Sequence, residues 1–240
     1  MKFEQGYYFP DDETHFQPFL KQGDYQVLQR EMGLGVCRAL DVPFNVAVDI
    51  GAHVGLWAKP LSTVFKKVIC FEPRAQNVEC LRKNLLGLNC EIHPFGLSDE
   101  TAHKSFYMPS DTHNSGAGSF GEFGERTATA SHAEVRQLDD YDIPEINFIK
   151  LDIQGWEINA LRGGAKTIQR TQPVILCENY PQRDELVQAF INLGYEKILR
   201  VVKEDIFVPA SRLTPASRQA IIHYFNERKA YFEELASRQS

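Results

Sequence analysis

A glycine-containing loop and a distant acid carry the strongest chemical signal in this sequence. In the segment VAVDIGAHVG (residues 46–55), Asp49 lies near the end of an apolar run, and Gly51 and Gly55 enclose three residues. Glu72 ends a second apolar run, VICFE, 21 residues after Gly51. Glycines let a ligand approach the backbone, and an acid at about this separation accepts hydrogen bonds from ribose hydroxyls. The spacing therefore predicts a pocket for a ligand that contains a nucleoside.

Two classes of ligand fit this pocket. A dinucleotide would place its pyrophosphate on a helix N-terminus, but its G-x-G-x-x-G pattern is incomplete here, because His53 stands where a second glycine is needed. S-adenosylmethionine carries no phosphate, and Asp49 suits its amino group better than it suits a phosphate. With either ligand, a helix beginning near Val54 is expected to direct free N–H groups into the pocket.

Other polar residues follow apolar runs and are expected at the same edge of the sheet, where the carboxyl ends of parallel strands meet. Ser98 and Asp99 could contact an adenine, although Asp99 fits a simple turn equally well. Asp152 lies near the end of INFIKLDI, and Glu178 and Asn179 end PVILCEN. Oxygen atoms of these last three residues could hold Mg²⁺, which is the less favoured reading.

Alternating strand and helix patterns must position these residues. Short apolar runs predict strands, and amphipathic stretches between them predict helices. The predicted strands cover 46–50, 68–73, 90–97, 146–153 and 173–178, and the predicted helices cover 25–40, 54–65, 75–86, 156–169, 183–193 and 217–235. Two close strands at 195–202 and 205–208 predict an antiparallel hairpin. We therefore expect an α/β fold with a doubly wound, Rossmann-like, mostly parallel sheet of about seven strands and a C-terminal antiparallel hairpin.

The predicted organisation has three parts. Residues 1–44 are an aromatic arm with a covering helix, 45–210 the main domain, and 211–240 a C-terminal helix. We expect the first 22 residues to pack on the domain, and the alternative is a lid or acceptor wall that carries His15. The glycine-rich stretch 110–131, with His113 and Asn114, either faces a substrate or is a passive connection.

Composition excludes several classes of function. The 240 residues are 43% hydrophobic, which suits one large domain. The net charge of -6 and the lack of a basic block argue against a nucleic-acid partner. No apolar run approaches the ~18 residues of a membrane span, and the N-terminus lacks a signal-peptide pattern. The five cysteines include no C-x-x-C, which predicts reduced, mostly buried thiols in a cytoplasmic protein.

Five segments resemble the FkbM-type methyltransferases, in the family's order and over roughly residues 45–180. They are VDIGAHVGLW, CFEPRAQNVECLRKNL, HPFGLSDE, VRQLDDYDIPEINFIKLDIQGWEINALRGG and PVILCEN. The resemblance implies class I methyltransferase architecture, S-adenosylmethionine as donor, and O-methylation of a hydroxyl on a sugar, a glycan or a small natural product. It implies that Asp49, Gly51 and Gly55 surround the methionine end of the donor and that Glu72 binds its ribose. The family usually has Glu where this chain has Gln154.

An alcohol is a poor nucleophile at neutral pH, so a base or a metal would help the reaction. Asp152, Glu178 and His53 are the candidate catalytic residues, and His53 and Asp152 are also expected at the donor. Lys150 is expected to pair with Asp152 in a salt bridge. The same glycine loop and Glu72 would also suit a nicotinamide oxidoreductase, which remains an alternative. A non-catalytic donor-binding module is a second alternative, because Gln154 replaces the usual Glu of the family. The oligomeric state stays open.

Overall fold

The computed structural model describes residues 1–21, 24–110, 113–121, 128–179 and 181–237. The strands are β1 (Lys2–Glu4), β2 (Tyr7–Phe9), β3 (Val46–Ile50), β4 (Lys67–Phe71), β5 (Cys90–His93), β6 (Gly96–Leu97), β7 (Ala102–Pro109), β8 (Ala128–Arg136), β9 (Phe148–Leu151), β10 (Val174–Glu178), β11 (Tyr195–Val201) and β12 (Glu204–Pro209). The helices are α1 (Gln17–Lys21), α2 (Val27–Ala39), α3 (Ala58–Leu61), α4 (Ala75–Asn84), α5 (Glu157–Gly163), α6 (Ala165–Thr171), α7 (Asp184–Asn192), α8 (Pro215–Glu227) and α9 (Lys229–Ser237).

The central sheet has seven strands in the order β11-β12-β10-β9-β3-β4-β5. The strands from β10 to β5 run parallel, whereas β12 is antiparallel to both β10 and β11. This arrangement confirms the predicted doubly wound sheet and its C-terminal hairpin. Because β4 and β9 lie on opposite sides of β3, the chain leaves β3 at a topological switch point, where such sheets open a ligand crevice.

Both faces of this sheet are covered, which explains why its strands are almost continuously apolar. Alternate residues of β3 enter separate clusters, Ala47 on one face and Val48 and Ile50 on the other. Asp49 is the polar exception. It lies beside Lys150 of β9 in the strand register, so the sheet itself brings this acid and this base together.

The segment 90–97 differs from its prediction as one strand. The central sheet takes only β5, and β6 pairs instead with β8 in a second sheet of order β6-β8-β7. Pro94 separates the two strands and has no N–H to donate to a ladder, so pairing stops there. The residues of 104–109 and 134–138 alternate in the sequence like antiparallel strands, and the structure confirms this pattern, since β7 and β8 pair along their lengths.

Three predicted helices are shorter than expected or interrupted. The helix predicted over 54–65 is only α3, because His53 and Gly55 before it have φ angles of 52° and 94°, which an α-helix does not allow. The helix predicted over 156–169 breaks at the Gly163–Gly164 pair into α5 and α6, and the C-terminal helix breaks at Arg228 into α8 and α9.

The N-terminal arm packs against the outside of the segment that carries the glycine loop. Phe9, Phe16 and Leu20 are buried in one cluster with Val54, Leu56 and Cys80. The arm is thus in direct contact with the predicted donor pocket.

The cysteines are all free thiols, with only Cys90 partly exposed, as the sequence predicts. In the described part of the chain, no helix has the length and apolar character needed to cross a membrane.

Candidate functional site

Two adjoining cavities open at the carboxyl ends of β3, β4 and β9. The first, of about 510 Å³, is lined by Phe71, Glu72, Asn77, Leu97, Phe106 and Phe120 among others. The second, of about 460 Å³, is lined by Phe16, Tyr25, Leu56, Trp57, Asn114 and Lys150 among others. Both are lined by Gly51, His53, Gly116, Asp152 and Gln154. The shared residues place the two cavities side by side.

The glycine loop lies where the cavities meet and is fastened to neighbouring strands. The backbone N–H groups of Gly51 and Ala52 both donate to the carbonyl of Phe71, at 3.0 Å. Gly51 has a φ of 81°, and a Cβ there would lie 2.1 Å from the carbonyl oxygen of Asp152. Only glycine fits this position. The helix expected to begin near Val54 begins instead at Ala58, and before it the N–H groups of Gly51 and Ala52 bond the end of β4.

Glu72 lines the first cavity and is held by three donors. Its Oε2 accepts from the N–H of His53 at 2.9 Å, and its Oε1 accepts from the N–H of Arg74 at 3.0 Å and from Asn77 Nδ2 at 3.2 Å. Burial raises the pKa of Glu72, and these hydrogen bonds oppose that rise. The structure therefore holds this carboxyl group in one orientation at the cavity wall.

Asp49 lines neither cavity, so its contact with the donor stays a prediction. It is completely buried, and within the described residues neither of its carboxylate oxygens has a hydrogen-bond partner. Lys150 Nζ lies 3.5 Å from Asp49 Oδ1 and 3.8 Å from Asp152 Oδ2, which confirms the predicted ion pair with Asp152. The same ammonium donates to the carbonyl of Gly51 at 2.8 Å. Burial raises the pKa of Asp49 to about 6.

Gln154 joins two of the predicted catalytic carboxyl groups. Its Nε2 donates to Asp152 Oδ1 at 2.8 Å and to Glu178 Oε2 at 2.9 Å. Burial, and next the charge of Asp152, raise the pKa of Glu178 to about 10, so Glu178 is protonated at neutral pH. An amide can donate to both acids, whereas a carboxylate in its place could not. Asp152 lines both cavities, and Glu178 lines neither.

The predicted magnesium ligands do not converge. Asn179 is buried, donates through Nδ2 to Asp205 Oδ2 at 2.8 Å and accepts from the N–H of Arg183 at 2.8 Å. Its side chain is thus engaged with β12 and the segment before α7 instead of Asp152 and Glu178. Across the residues that the structure describes, no three His, Cys, Asp or Glu side chains are grouped as metal ligands. The contacts of Asn179 therefore give no support to the less favoured magnesium set of Asp152, Glu178 and Asn179.

His53 lies at the junction of the cavities and is a weak candidate for a base. Its Nε2 lies 2.6 Å from Ser115 Oγ, and its ring centroid lies 4.8 Å from that of Phe16. Burial, and next the positive charges of Lys150 and Arg74, lower the pKa of His53 to about 3. The imidazole is therefore neutral at pH 7, has little affinity for a proton, and already interacts with a hydroxyl group.

Neither Ser98 nor Asp99 lines either cavity. Ser98 Oγ donates to Asp99 Oδ1 at 3.0 Å and accepts from Trp156 Nε1 at 3.2 Å, while Asp99 is exposed. The cavity-lining residues of this segment are Gly96 and Leu97. Ser98 follows directly after β6, and its side chain bonds Asp99 and Trp156.

Several lining residues come from the two segments that the sequence could not resolve. The stretch 113–121 contributes Asn114, Ser115 and Phe120, and the arm over the first 22 residues contributes Phe16. The only advance signal was the composition of these segments, glycine-rich in one and aromatic in the other. The histidines singled out there, His15 and His113, are both exposed.

Comparison with known proteins gives one family. A family model described as the methyltransferase FkbM domain matches residues 49–204, which is more than half of the chain. The match includes the glycine loop, Glu72, Asp152 and Glu178, and it excludes the arm and the last two helices. No curated protein matches the sequence.

Solved structures of similar fold include several methyltransferases. A methyltransferase FkbM from Methylobacillus flagellatus is 18% identical with a TM-score of 0.49, and the alignment covers 80% of this chain and 57% of that one. This chain thus spans less than two thirds of that structure. A precorrin-8w decarboxylase from Methanobacterium thermoautotrophicum is 14% identical with a TM-score of 0.49, and the coverage is 87% and 99%. A T. thermophilus rRNA methyltransferase solved with AdoMet and guanosine is 13% identical with a TM-score of 0.44, and the coverage is 77% and 43%.

Proposed function

The chain belongs to the FkbM methyltransferase family, and from this premise we propose that it transfers a methyl group from S-adenosylmethionine to a hydroxyl group of a sugar, a glycan or a small natural product. The observation that carries the proposal is the position of Glu72. Its carboxyl group lines a cavity of about 510 Å³ at the switch point of the sheet and is fixed by three donors. A carboxylate there suits a ribose diol.

The first cavity has the chemistry that an adenosine requires. Glu72 would accept hydrogen bonds from the ribose, and Leu97, Phe106 and Phe120 offer apolar surface for the adenine. Gly51 and Asp152 line both cavities, so the methionine part of the donor would extend past them toward the second cavity. We assign the adenine to this apolar surface in preference to Ser98 and Asp99, because neither of those residues lines the cavity.

Bound S-adenosylmethionine supplies an electrophilic methyl group. The chain must hold an acceptor hydroxyl in line with it, and alignment of this kind provides much of the rate. Asp152 is the residue best placed to accept the hydroxyl proton, because it lines both cavities. The amide of Gln154 holds one of its carboxylate oxygens, and Lys150 lies 3.8 Å from the other. Glu178 lines neither cavity, and its raised pKa keeps it protonated, so it is the poorer candidate for the base.

Calorimetry with S-adenosylhomocysteine and a turnover assay test these roles separately. We expect the wild type to bind with a Kd of about 1–100 μM, in the range of ordinary enzyme ligands. Glu72→Gln should weaken this binding about tenfold. Asp152→Asn should keep the affinity within about threefold but lower turnover by about 10²–10⁴-fold, the usual contribution of a general base. Asp142→Asn, which changes an exposed acid, is the matched control.

Each result that contradicts the proposal would identify the part of it that is wrong. A wild type that ignores S-adenosylhomocysteine and changes the fluorescence of NADH would favour the oxidoreductase. Donor binding without turnover, across glycans, small alcohols, amines and RNA, would favour a non-catalytic module. Full turnover by Asp152→Asn would exclude Asp152 as the base. The cytoplasmic location and the lack of a nucleic-acid acceptor stay predictions.

A further inference from the structure

Glu13 of the N-terminal arm is completely buried, although the arm lies at the surface of the fold. Its Oε1 accepts from the backbone N–H groups of His15 and Phe16, and its Oε2 accepts from the N–H of Ser115. A buried carboxylate is costly unless its oxygens are bonded, so this third bond fastens the arm to the stretch 113–121, which we call the roof loop. A backbone bond of 3.1 Å from Thr14 N to the carbonyl of His113 joins the same two segments.

Ser115 extends this contact to the donor site. Its Oγ lies 2.6 Å from His53 Nε2, and its carbonyl accepts from Asn77 Nδ2 at 3.0 Å. Asn77 Nδ2 also donates to Glu72 Oε1 at 3.2 Å. A continuous hydrogen-bond network therefore runs from Glu13 through Ser115 and Asn77 to the carboxyl group expected to bind the ribose.

The arm also packs on the glycine loop. Asn84 Nδ2 donates both to the carbonyl of Tyr8, at 2.9 Å, and to the carbonyl of Val54, at 2.7 Å. Phe16 lines the second cavity, and a Cβ on Gly116 of the roof loop would lie 3.2 Å from its ring. Arm, roof loop and glycine loop thus form one packed unit around the cavities, and any movement of the arm must alter the cavity wall.

We propose that Glu13 is a positioning residue of the donor site, which fastens the roof loop over the two cavities and so couples closure of the arm to retention of the donor. Glu13 lines neither cavity and acts through Ser115. It lies outside the segment that matches the family, so the family match does not assign it a role. The inference rests on the proposed function, because it takes S-adenosylmethionine as the ligand of the cavities.

The dissociation rate of S-adenosylhomocysteine, measured by stopped flow, tests this coupling. We expect Glu13→Gln to release the ligand about tenfold faster than the wild type. Both oxygens of Glu13 accept from backbone N–H groups, and the NH₂ group of a glutamine cannot accept, so at least one of these bonds would be lost. Glu13→Asp keeps the charge and should recover part of the effect. Asp12→Asn, which removes an exposed carboxylate next to it in the chain, should change the rate less than about twofold. Thermal unfolding of each variant reports whether it is folded.

Hydrogen exchange on the wild type tests the coupling without any substitution. We expect S-adenosylhomocysteine to slow exchange at Phe16 and Ser115 together, since neither N–H can exchange until the bond to Glu13 opens. A folded Glu13→Gln variant with the wild-type dissociation rate would overturn the inference, and so would exchange at both amides that ignores the ligand. A wild type that does not bind the ligand at all would instead contradict the proposed function.

Discussion

Lys150 Nζ lies 3.5 Å from Asp49 Oδ1, with both side chains buried and on neighbouring strands of the central sheet. The lysine also bonds the carbonyl of Gly51 at 2.8 Å. One buried ion pair therefore ties β9 to β3 and to the glycine loop. Asp49 thus pairs with Lys150, and Lys150 in turn bonds the backbone of the glycine loop.

Removing the cation of this pair should strongly destabilise the fold. Lys150→Met leaves the Asp49 carboxylate buried without a counter-charge, and we expect a loss of about 3–5 kcal/mol in the free energy of unfolding at pH 8. The double variant Asp49→Asn, Lys150→Met removes both charges and should recover at least half of the loss. Urea unfolding measures both values, and a double variant that is as unstable as Lys150→Met would contradict the prediction. With the Asp49→Asn single variant, the cycle gives the coupling free energy of the pair.

Gly51 and Gly87 form a matched pair for the close contact at the glycine loop. Their φ angles are 81° and 78°, but a Cβ on Gly51 would lie 2.1 Å from the carbonyl oxygen of Asp152, whereas a Cβ on Gly87 meets nothing within 4 Å. Gly87→Ala should cost about 1–2 kcal/mol from its left-handed backbone. Gly51→Ala should cost more and abolish binding of S-adenosylhomocysteine. Similar stabilities and affinities for the two variants would argue against the contact.

A third acid between Asp152 and Glu178 should destabilise the site in a pH-dependent way. Gln154→Glu removes the amide that donates to both groups and adds a third carboxyl group. The negative charge of Asp152 disfavours ionisation of this new group. Its pKa in the folded state should therefore exceed its unfolded value, so stability should fall as the pH rises through 5 to 8. Gln154→Met removes the same bonds without a charge. If the thermal stabilities of the two variants stay parallel over this range, the prediction is wrong.

Glu178 should lower stability as the pH rises. Its folded pKa of about 10 exceeds its ordinary value of 4.5, so above pH 4.5 the unfolded chain releases a proton that the folded protein retains. The slope from this one group is at most about 1.4 kcal/mol per pH unit. Glu178→Gln removes the titration, and its stability relative to the wild type should increase from pH 5 to pH 9.

Comparing the wild type with Glu178→Gln separates the effect of Glu178 on the pH dependence of stability from the effects of other groups in the site. Burial also raises the pKa of Glu204 to about 7 and that of Asp49 to about 6, which lowers stability with rising pH in the same direction. The lowered pKa of His53, about 3, acts in the opposite direction, because stability is lost as the pH falls below the unfolded value of 6.5. Thermal melts of wild type and variant that differ by a constant amount would contradict the raised pKa.

Residue patterns were sufficient to predict the sheet and the acids at its edge. Parallel strands that are covered on both faces are almost continuously apolar. This pattern predicted the bounds of β3, β4, β9 and β10 to within a few residues. Glu72 and Asp152 follow directly from such strands, so their arrival at the crevice needs only local information. The same reasoning did not predict that the chain leaves the central sheet at Pro94, after which Gly96 and Leu97 line the first cavity while Ser98 and Asp99 do not.

The sequence by itself therefore determined the architecture, the glycine loop and the two acids that line the cavities, because strand and turn preferences act between near neighbours. Only the tertiary structure decided where the other polar groups point. Asn179 turns to Asp205, and Glu13 bonds Ser115 across 102 residues of chain. Such choices depend on partners that are distant in sequence and on the path of the connecting segments, and no local pattern records either.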